Sequence, residues 1–209
     1  MAEVNVLFWQ PKACFDTWFN KVVAALTLGD YCHAEVDFIM TKAEWMEVLG
    51  SFATPGRAKE RSLTVQKRMT EILHAVGDDT KIHLVFYTIW GGELDVRMLT
   101  ANDSFVFNRL PDPKVTNSMP LGFDKEQTRA ALGFCFNELH KKYDAKKALT
   151  YFIPRFEGVC PRDFSQLPSR YFCSEFIMYL MQAVDPEYRQ YYPETITPNE
   201  LSKILSRGL

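Results

Sequence analysis

The chain has 209 residues, of which 47% are apolar, 14% aromatic and 24% charged, a composition typical of a globular protein rather than a disordered or collagen-like one. A chain of this length buries about 70% of the surface of its unfolded form, so a core needs no disulfides or structural metal. Its net charge of −2 gives no general attraction for nucleic acid or anionic lipid, and we expect no nucleic-acid partner.

The N-terminal residues and the cysteines indicate a reducing compartment, and we expect a cytoplasmic location. No basic segment precedes the first apolar run, so we expect no signal peptide, and no apolar run approaches the roughly 20 residues of a membrane helix. The cysteines are odd in number and include no CxxC pair, which argues against a disulfide framework and a zinc site; they are Cys14, Cys32, Cys135, Cys160 and Cys173. We expect no metal or other cofactor, because the nucleotide-binding glycine motifs are also missing.

The first forty residues predict a strand, a helix and a second strand. Val4 to Trp9 is a short apolar run, and Phe15 to Leu26 has apolar residues at helical spacing. After the Gly29-Asp30 break, Tyr31 to Met40 alternates polar and apolar residues, as in a half-buried strand. Every second residue of such a strand points to the same face, and the polar face carries His33, Glu35 and Asp37.

The middle of the chain predicts an insertion followed by a hairpin. Residues 41–79 contain two helical segments around a polar stretch, and we interpret them as an insertion that could form a lid or a partner-binding surface. Lys81 to Trp90 and Glu93 to Leu99 are rich in strand-forming residues on either side of Gly91-Gly92. The sheet is therefore expected to be antiparallel.

The last third of the chain predicts three helices. Asp124 and Gln127 have the spacing of a capping box and open a helix that is expected to end near Lys142. A strongly apolar helix begins around Cys173 and is expected to stop near Asp185-Pro186. Thr197-Pro198 marks the start of a short final helix.

Cys173 occupies the position at which a helix best activates a thiol. Unpaired backbone N–H groups and the positive end of the helix dipole stabilise a thiolate there, and the same N–H groups can bind an oxyanion. A catalytic thiol needs a base, and His33 and His83 lie on predicted strands, whereas His74 and His140 lie on predicted helices flanked by charge. His33 lies at the start of its predicted strand, shortly after the Gly29-Asp30 pair that ends the predicted helix, and this position favours it as the partner of Cys173.

The order of these features resembles the circularly permuted papain-like superfamily. This NlpC-type group includes the YiiX-like hydrolases, relatives of lecithin:retinol acyltransferase and proteins of several large DNA viruses. In it, the catalytic histidine opens an early strand and the catalytic cysteine opens a late, buried helix. The matching stretches, in chain order, are Gly29 to Glu35, the strand pair through Gly91-Gly92, Lys142-Tyr143-Asp144, Tyr171 to Phe176, and Ile196 to Leu201.

The resemblance implies a fold and a set of catalytic roles. The fold would be α+β and papain-like, with a permuted central antiparallel sheet or half-barrel flanked by helices, over a single domain of residues 1–209. Cys173 would be the nucleophile, with its backbone N–H in the oxyanion hole, and His33 the general base. A third polar residue orients the imidazole in this family; Glu35 is preferred for that role, with His83 and Thr88 as alternatives.

The resemblance also implies a reaction class. We expect a cysteine hydrolase that cleaves an amide, peptide or ester bond through a thioester, acting on a peptide-like or acyl substrate. An acyltransferase would use the same acyl-enzyme with another acceptor. The alternative from another class is a structural or host-interaction module with a decayed site, binding a protein partner, and viral membership would place the chain in a virion.

Overall fold

The computed structural model describes residues 2–11, 18–26, 29–51, 67, 69–88, 92–100, 116–144, 148 and 167–207. The fold is α+β. Its strands are β1 (Glu3–Trp9), β2 (His33–Thr41), β3 (Lys81–Thr88), β4 (Leu94–Thr100) and β5 (Thr116–Pro120), with a short pair of β6 (Lys142–Tyr143) and β7 (Arg170–Tyr171). Its helices are α1 (Trp18–Leu26), α2 (Lys42–Ser51), α3 (69–75), α4 (Lys125–Glu138), α5 (Cys173–Val184) and α6 (Pro198–Leu205), with 3₁₀ turns at Pro186–Gln190 and Pro193–Thr195. None of these helices has the length and apolar character that crossing a bilayer requires.

The five-stranded sheet has the order β4-β3-β2-β1-β5, and every neighbouring pair is antiparallel, as expected. The predicted hairpin is the β3–β4 pair, in which Phe86 lies opposite Val96. Strand β2 lies at the centre of the sheet. It pairs with β1 from His33 onward and with β3 from Val36 onward, so the residues at its start are held in place by β1.

One face of the sheet forms the main core with α4 and α5. The alternation of β2 sends Ala34, Val36 and Phe38 into this core, as the sequence predicts. Phe86 of β3 makes edge-to-face contacts with Phe38 and Phe136, at centroid distances of 5.8 and 5.3 Å. The apolar side of α5 lies against β2, and this packing fixes where the helix begins.

Strand β2 is buried on its other face as well, at Glu35 and Asp37, and the prediction of a half-buried β2 is wrong. Leu7, Val85 and Leu99 form a small apolar cluster there. Glu35 and Asp37 lie on the same face and are only 2% and 1% exposed. A polar and apolar alternation therefore marks a face that carries charged groups but does not have to meet solvent.

The described part of the predicted insertion belongs to the core. Trp45 of α2 and Leu73 of α3 are fully buried in the main cluster, and the Trp45 indole N–H donates to the Ile82 carbonyl at 3.2 Å. Helix α2 begins beyond Thr41, at the end of β2 that is farthest from His33. Residues 52–66 and 68 of the predicted insertion, which as a whole is expected to form a lid or a partner-binding surface, lie outside the described part of the chain.

Helix α4 has the predicted start and an earlier end than predicted. Asp124 is its N-cap, and Asp124 and Gln127 make both hydrogen bonds of the capping box. The helix ends at Glu138 rather than near Lys142. The reason is tertiary: the chain leaves the helix to pair with the strand that follows Gly92, through Tyr143 N–H to the Gly92 carbonyl at 2.9 Å and neighbouring bonds. His140 makes this change of direction in the left-handed region, at φ 69°.

The two C-terminal helices follow the prediction closely. Helix α5 ends at Val184 with Asp185 as its C-cap, directly before Pro186. Helix α6 begins after Thr197, whose hydroxyl accepts from the Glu200 N–H while the Glu200 carboxylate accepts from the Thr197 N–H. Both ends are set by local rules, proline termination and a capping box, which is why the sequence predicts them.

Candidate functional site

Cys173 is the first residue of α5 and is 6% exposed. The N-cap residue, Phe172, has no side-chain acceptor to satisfy the N–H groups of the first turn. Burial raises the pKa of the Cys173 thiol, whereas His33 and backbone hydrogen bonds from Ala34 and Ser174 lower it, and the net shift is downward. The helix start therefore provides donors and a positive dipole end for a thiolate.

His33 opens β2 and is hydrogen-bonded to Cys173. Burial by itself lowers the pKa of an imidazole. The charge of Cys173 and the hydrogen bond to it oppose this effect, with further contributions from Glu35, and raise the pKa of His33 to about 9. Because the pKa of Cys173 moves down and that of His33 moves up, each group favours the charged form of the other, as in a thiolate–imidazolium pair.

Glu35 lies two residues along β2 on the same face as His33. Its Oε1 is 3.4 Å from His33 Nε2, and its Oε2 accepts from Arg97 Nη2 at 2.5 Å. Burial raises the pKa of this carboxyl, but His33 and Arg97, with a smaller contribution from the indole N–H of Trp9, bring it below its ordinary value. Glu35 is therefore a buried carboxylate held between two cations.

The two alternatives to Glu35 lie elsewhere. His83 is opposite Ile39, six residues from His33 and about 20 Å along the strand. Its Nδ1 is hydrogen-bonded to Asp37 Oδ2 at 2.8 Å. Thr88 shares a face with Phe86, whose side chain is in the main core, so it is on the other side of the sheet from the His33 imidazole.

The two remaining histidines, His140 and His74, also lie elsewhere in the fold. His140 Nδ1 is 2.8 Å from Glu93 Oε1, and its imidazole is half-buried rather than solvated as expected. His74 is exposed on α3, in line with the expectation from its charged neighbours. Of the four histidines, His33 is the one that the fold brings to Cys173.

Sequence reasoning did not identify Arg97 and Tyr143 as site residues. Arg97 is on β4, two strands from Glu35, and its guanidinium also lies over the Tyr87 ring, 4.7 Å from the centroid. Tyr143 is on β6, next to Tyr171 of β7, and the charge of Cys173, after burial, raises its pKa well above the ordinary value. The signal for Arg97 was a lone cation within an alternating strand, which becomes informative only with the strand register.

The segment Ile196 to Asn199 joins the two halves of the site. Ser174 Oγ, next to Cys173, donates to the Ile196 carbonyl at 2.6 Å. The Asn199 side chain accepts from the Tyr31 N–H and donates to the Tyr31 carbonyl, each at 2.9 Å, two residues before His33. Gly29 makes room for this clamp, because a Cβ there would lie 2.2 Å from Asn199 Oδ1.

The clamp predicts an effect of Asn199→Ala on both stability and the site. Two partly buried hydrogen bonds to the Tyr31 backbone are lost, and we expect the free energy of unfolding to fall by about 1–3 kcal/mol. Asn117→Ala is the matched control, since Asn117 is exposed and donates to the Tyr31 hydroxyl at 2.8 Å. Urea unfolding of both variants measures the difference; an equal, small loss in each would contradict the role of the clamp.

Within the described ranges, no cluster of three or more His, Cys, Asp or Glu side chains could hold a metal ion. The groups gathered at the starts of β2 and α5 instead form a series of contacts. The Cys173 thiol contacts the His33 imidazole, the imidazole contacts the Glu35 carboxylate, and the carboxylate contacts the Arg97 guanidinium. Comparison of the chain with protein-family profiles, with curated proteins and with solved structures finds no significant match.

Proposed function

We propose that this protein is a cysteine hydrolase of the permuted papain-like type, cleaving an amide, peptide or ester bond through a thioester intermediate. The observation that carries the proposal is the contact of Cys173, at the start of a buried helix, with His33, whose other partner is Glu35. A nucleophile, a base and a group that orients the base are the parts that acyl transfer by a thiol requires. The substrate is a peptide-like or acyl group.

The first half of the reaction uses the charged pair. The Cys173 thiolate attacks the carbonyl carbon, and the carbonyl oxygen takes up the negative charge. The backbone N–H of Cys173 at the start of α5 is assigned to that oxyanion. His33 Nε2 faces Glu35, so we assign the remaining ring nitrogen, Nδ1, to transfer its proton to the leaving amine or alkoxide as the tetrahedral intermediate collapses.

The second half restores the enzyme. Neutral His33 accepts a proton from water, the resulting hydroxide attacks the thioester carbonyl, and the carboxylic acid leaves as the Cys173 thiolate re-forms. Glu35 stays ionised throughout and orients the His33 imidazole through its contact with the Nε2 atom of that ring. An acyltransferase would differ only in using an amine or alcohol in place of water.

The hydrolase is favoured over a decayed binding module by the combination of three groups. A buried carboxylate beside an imidazole is not by itself a catalytic feature, because Asp37 and His83 also form such a pair. Of the two histidines, only His33 also contacts, in the described part of the chain, a thiol at the start of a helix. Here Glu35 lies within 3.4 Å of His33 and is 2% exposed. The contact supports an operating triad of Cys173, His33 and Glu35.

The proposal predicts the pH dependence of alkylation. Iodoacetamide should modify Cys173 faster below neutral pH than it modifies an ordinary thiol, because His33 lowers the pKa of Cys173 and so increases the fraction of thiolate. Cys135 should stay inert, since burial raises its pKa well above the ordinary value. Mass spectrometry of the alkylated peptides between pH 5 and 9 measures the two rates on one sample.

The rate of turnover should have an upper pH limit that the rate of alkylation does not have. Hydrolysis of an amide needs protonated His33, so its rate should fall as pH rises through about 9, while alkylation of the thiolate continues. A Cys173 rate that increases only above pH 8, as for an ordinary thiol, would refute the hydrolase and favour the binding module.

A further inference from the structure

We propose that Arg97 is a positioning residue of this site, which keeps Glu35 ionised through the whole catalytic cycle. The inference rests on the proposed function and adds a fourth member to its charged groups. Arg97 does not touch Cys173 in any contact of the described residues; it acts through the carboxylate.

The geometry gives each oxygen of Glu35 its own cation. Oε1 faces His33 Nε2 at 3.4 Å, and Oε2 accepts from Arg97 Nη2 at 2.5 Å. The Arg97 side chain is 15% exposed and is stacked on the Tyr87 ring, which lies opposite Asp95 in the strand pair. A guanidinium that is both stacked and ion-paired has little freedom, so it fixes the direction of the carboxylate.

The charges in the site explain why a cation is needed there. In the resting enzyme the thiolate and Glu35 balance the imidazolium and Arg97, and the four groups sum to zero. In the acyl-enzyme Cys173 and His33 are both neutral, and Glu35 and Arg97 balance each other. Without Arg97, the three remaining side chains would carry a net charge of −1 in both states, in a region where an unpaired charge is costly.

Removal of Arg97 should therefore favour protonation of Glu35 at mildly acidic pH. A protonated Glu35 no longer attracts the imidazolium, so the thiolate–imidazolium pair would form over a narrower pH range. A purely structural arginine would lower stability without moving this range. The distinguishing readout is thus the pH profile of Cys173 alkylation, measured beside the melting temperature.

The experiment is a double-mutant cycle on Glu35 and Arg97 with iodoacetamide as the probe. Arg97→Met should lower the Cys173 alkylation rate at pH 6 by roughly ten- to a hundredfold, the range that directly coupled groups show. Arg97→Lys should recover part of it, since it keeps the charge but not the stacked fork. Glu35→Gln should also lower the rate, because its amide then faces a buried, unpaired guanidinium.

The double variant decides the matter and remains informative if Arg97→Met fails to fold. Glu35→Gln with Arg97→Met is neutral overall and keeps an amide oxygen for the imidazole, so its rate should exceed that of Glu35→Gln alone. Arg129→Met is the matched control, because Arg129 forms a surface ion pair with Glu47 at 3.1 Å and should leave the profile unchanged.

The failures are distinguishable. Wild-type Cys173 with the pH profile of an ordinary thiol would overturn the proposed function and this inference together. A fast wild-type thiol with the profile unchanged in Arg97→Met, or with independent, additive effects in the cycle, would overturn the role of Arg97 alone.

Discussion

Cys173→Ala should abolish turnover, by a factor on the order of 10⁴ or more, and should leave the fold intact. The loss follows because every step of the proposed reaction passes through a bond to this sulfur. The alanine fits the site of the thiol at the start of α5 and leaves the core contacts of Phe176 and Ile177 in place. Hydrolysis of activated thioester and p-nitrophenyl ester probes, followed by a peptide mixture, measures the rate.

Cys135→Ala separates the loss of the nucleophile from the loss of a buried thiol. Cys135 is fully buried on α4, in the main core, and its pKa is raised by burial. We expect this variant to be less stable and to keep its probe turnover and its labelling by thiol-directed electrophiles. Equal turnover in Cys173→Ala and wild type would rule out a thioester mechanism at this site.

His33→Ala should have the second largest effect, by removing the acidic-pH reactivity of Cys173. Without the imidazolium, burial raises the pKa of the Cys173 thiol. Even an ordinary thiol, with a pKa near 8.5, is only about 0.3% ionised at pH 6. A thiol of higher pKa is intrinsically more nucleophilic, which offsets part of the loss. We expect the alkylation rate at pH 6 to fall by on the order of a hundredfold, measured on the Cys173 peptide.

His83→Ala is a closely matched control for His33→Ala. Both histidines lie on central strands of the same sheet, and each imidazole is paired with a buried carboxylate, Glu35 for one and Asp37 for the other. Only His33 contacts Cys173. The same decrease in both variants would mean that the sheet, rather than the imidazole, controls the thiol.

Local sequence rules predict the elements whose ends depend on nearby residues. The capping boxes at Asp124 and Thr197, the proline after α5 and the alternation of β2 each act over a few residues, and the structure follows them. The end of α4 depends instead on pairing with a strand that begins about 45 residues earlier. A helical pattern near Lys142 carries no information about that pairing.

The candidate site divides in the same way. A thiol at a helix start and a histidine at a strand start are visible in the sequence, and so is the shared face of His33 and Glu35. The choice between Glu35, His83 and Thr88 as the neighbour of His33 needs the register of β2 against β3, which sends one alternative far along the strand and the other to the opposite face.

The sequence by itself determined that Cys173 begins a buried helix and that His33 and Glu35 share one face of a strand, because helix starts and strand alternation are properties of short segments. Only the tertiary structure decided which groups surround that thiol. Arg97 of β4 reaches Glu35 of β2 across the intervening strand β3, and Asn199 is hydrogen-bonded to Tyr31, which is 168 residues earlier in the chain. Such contacts depend on sheet order and chain packing, since pairing energies between distant residues leave no periodic signal in the sequence.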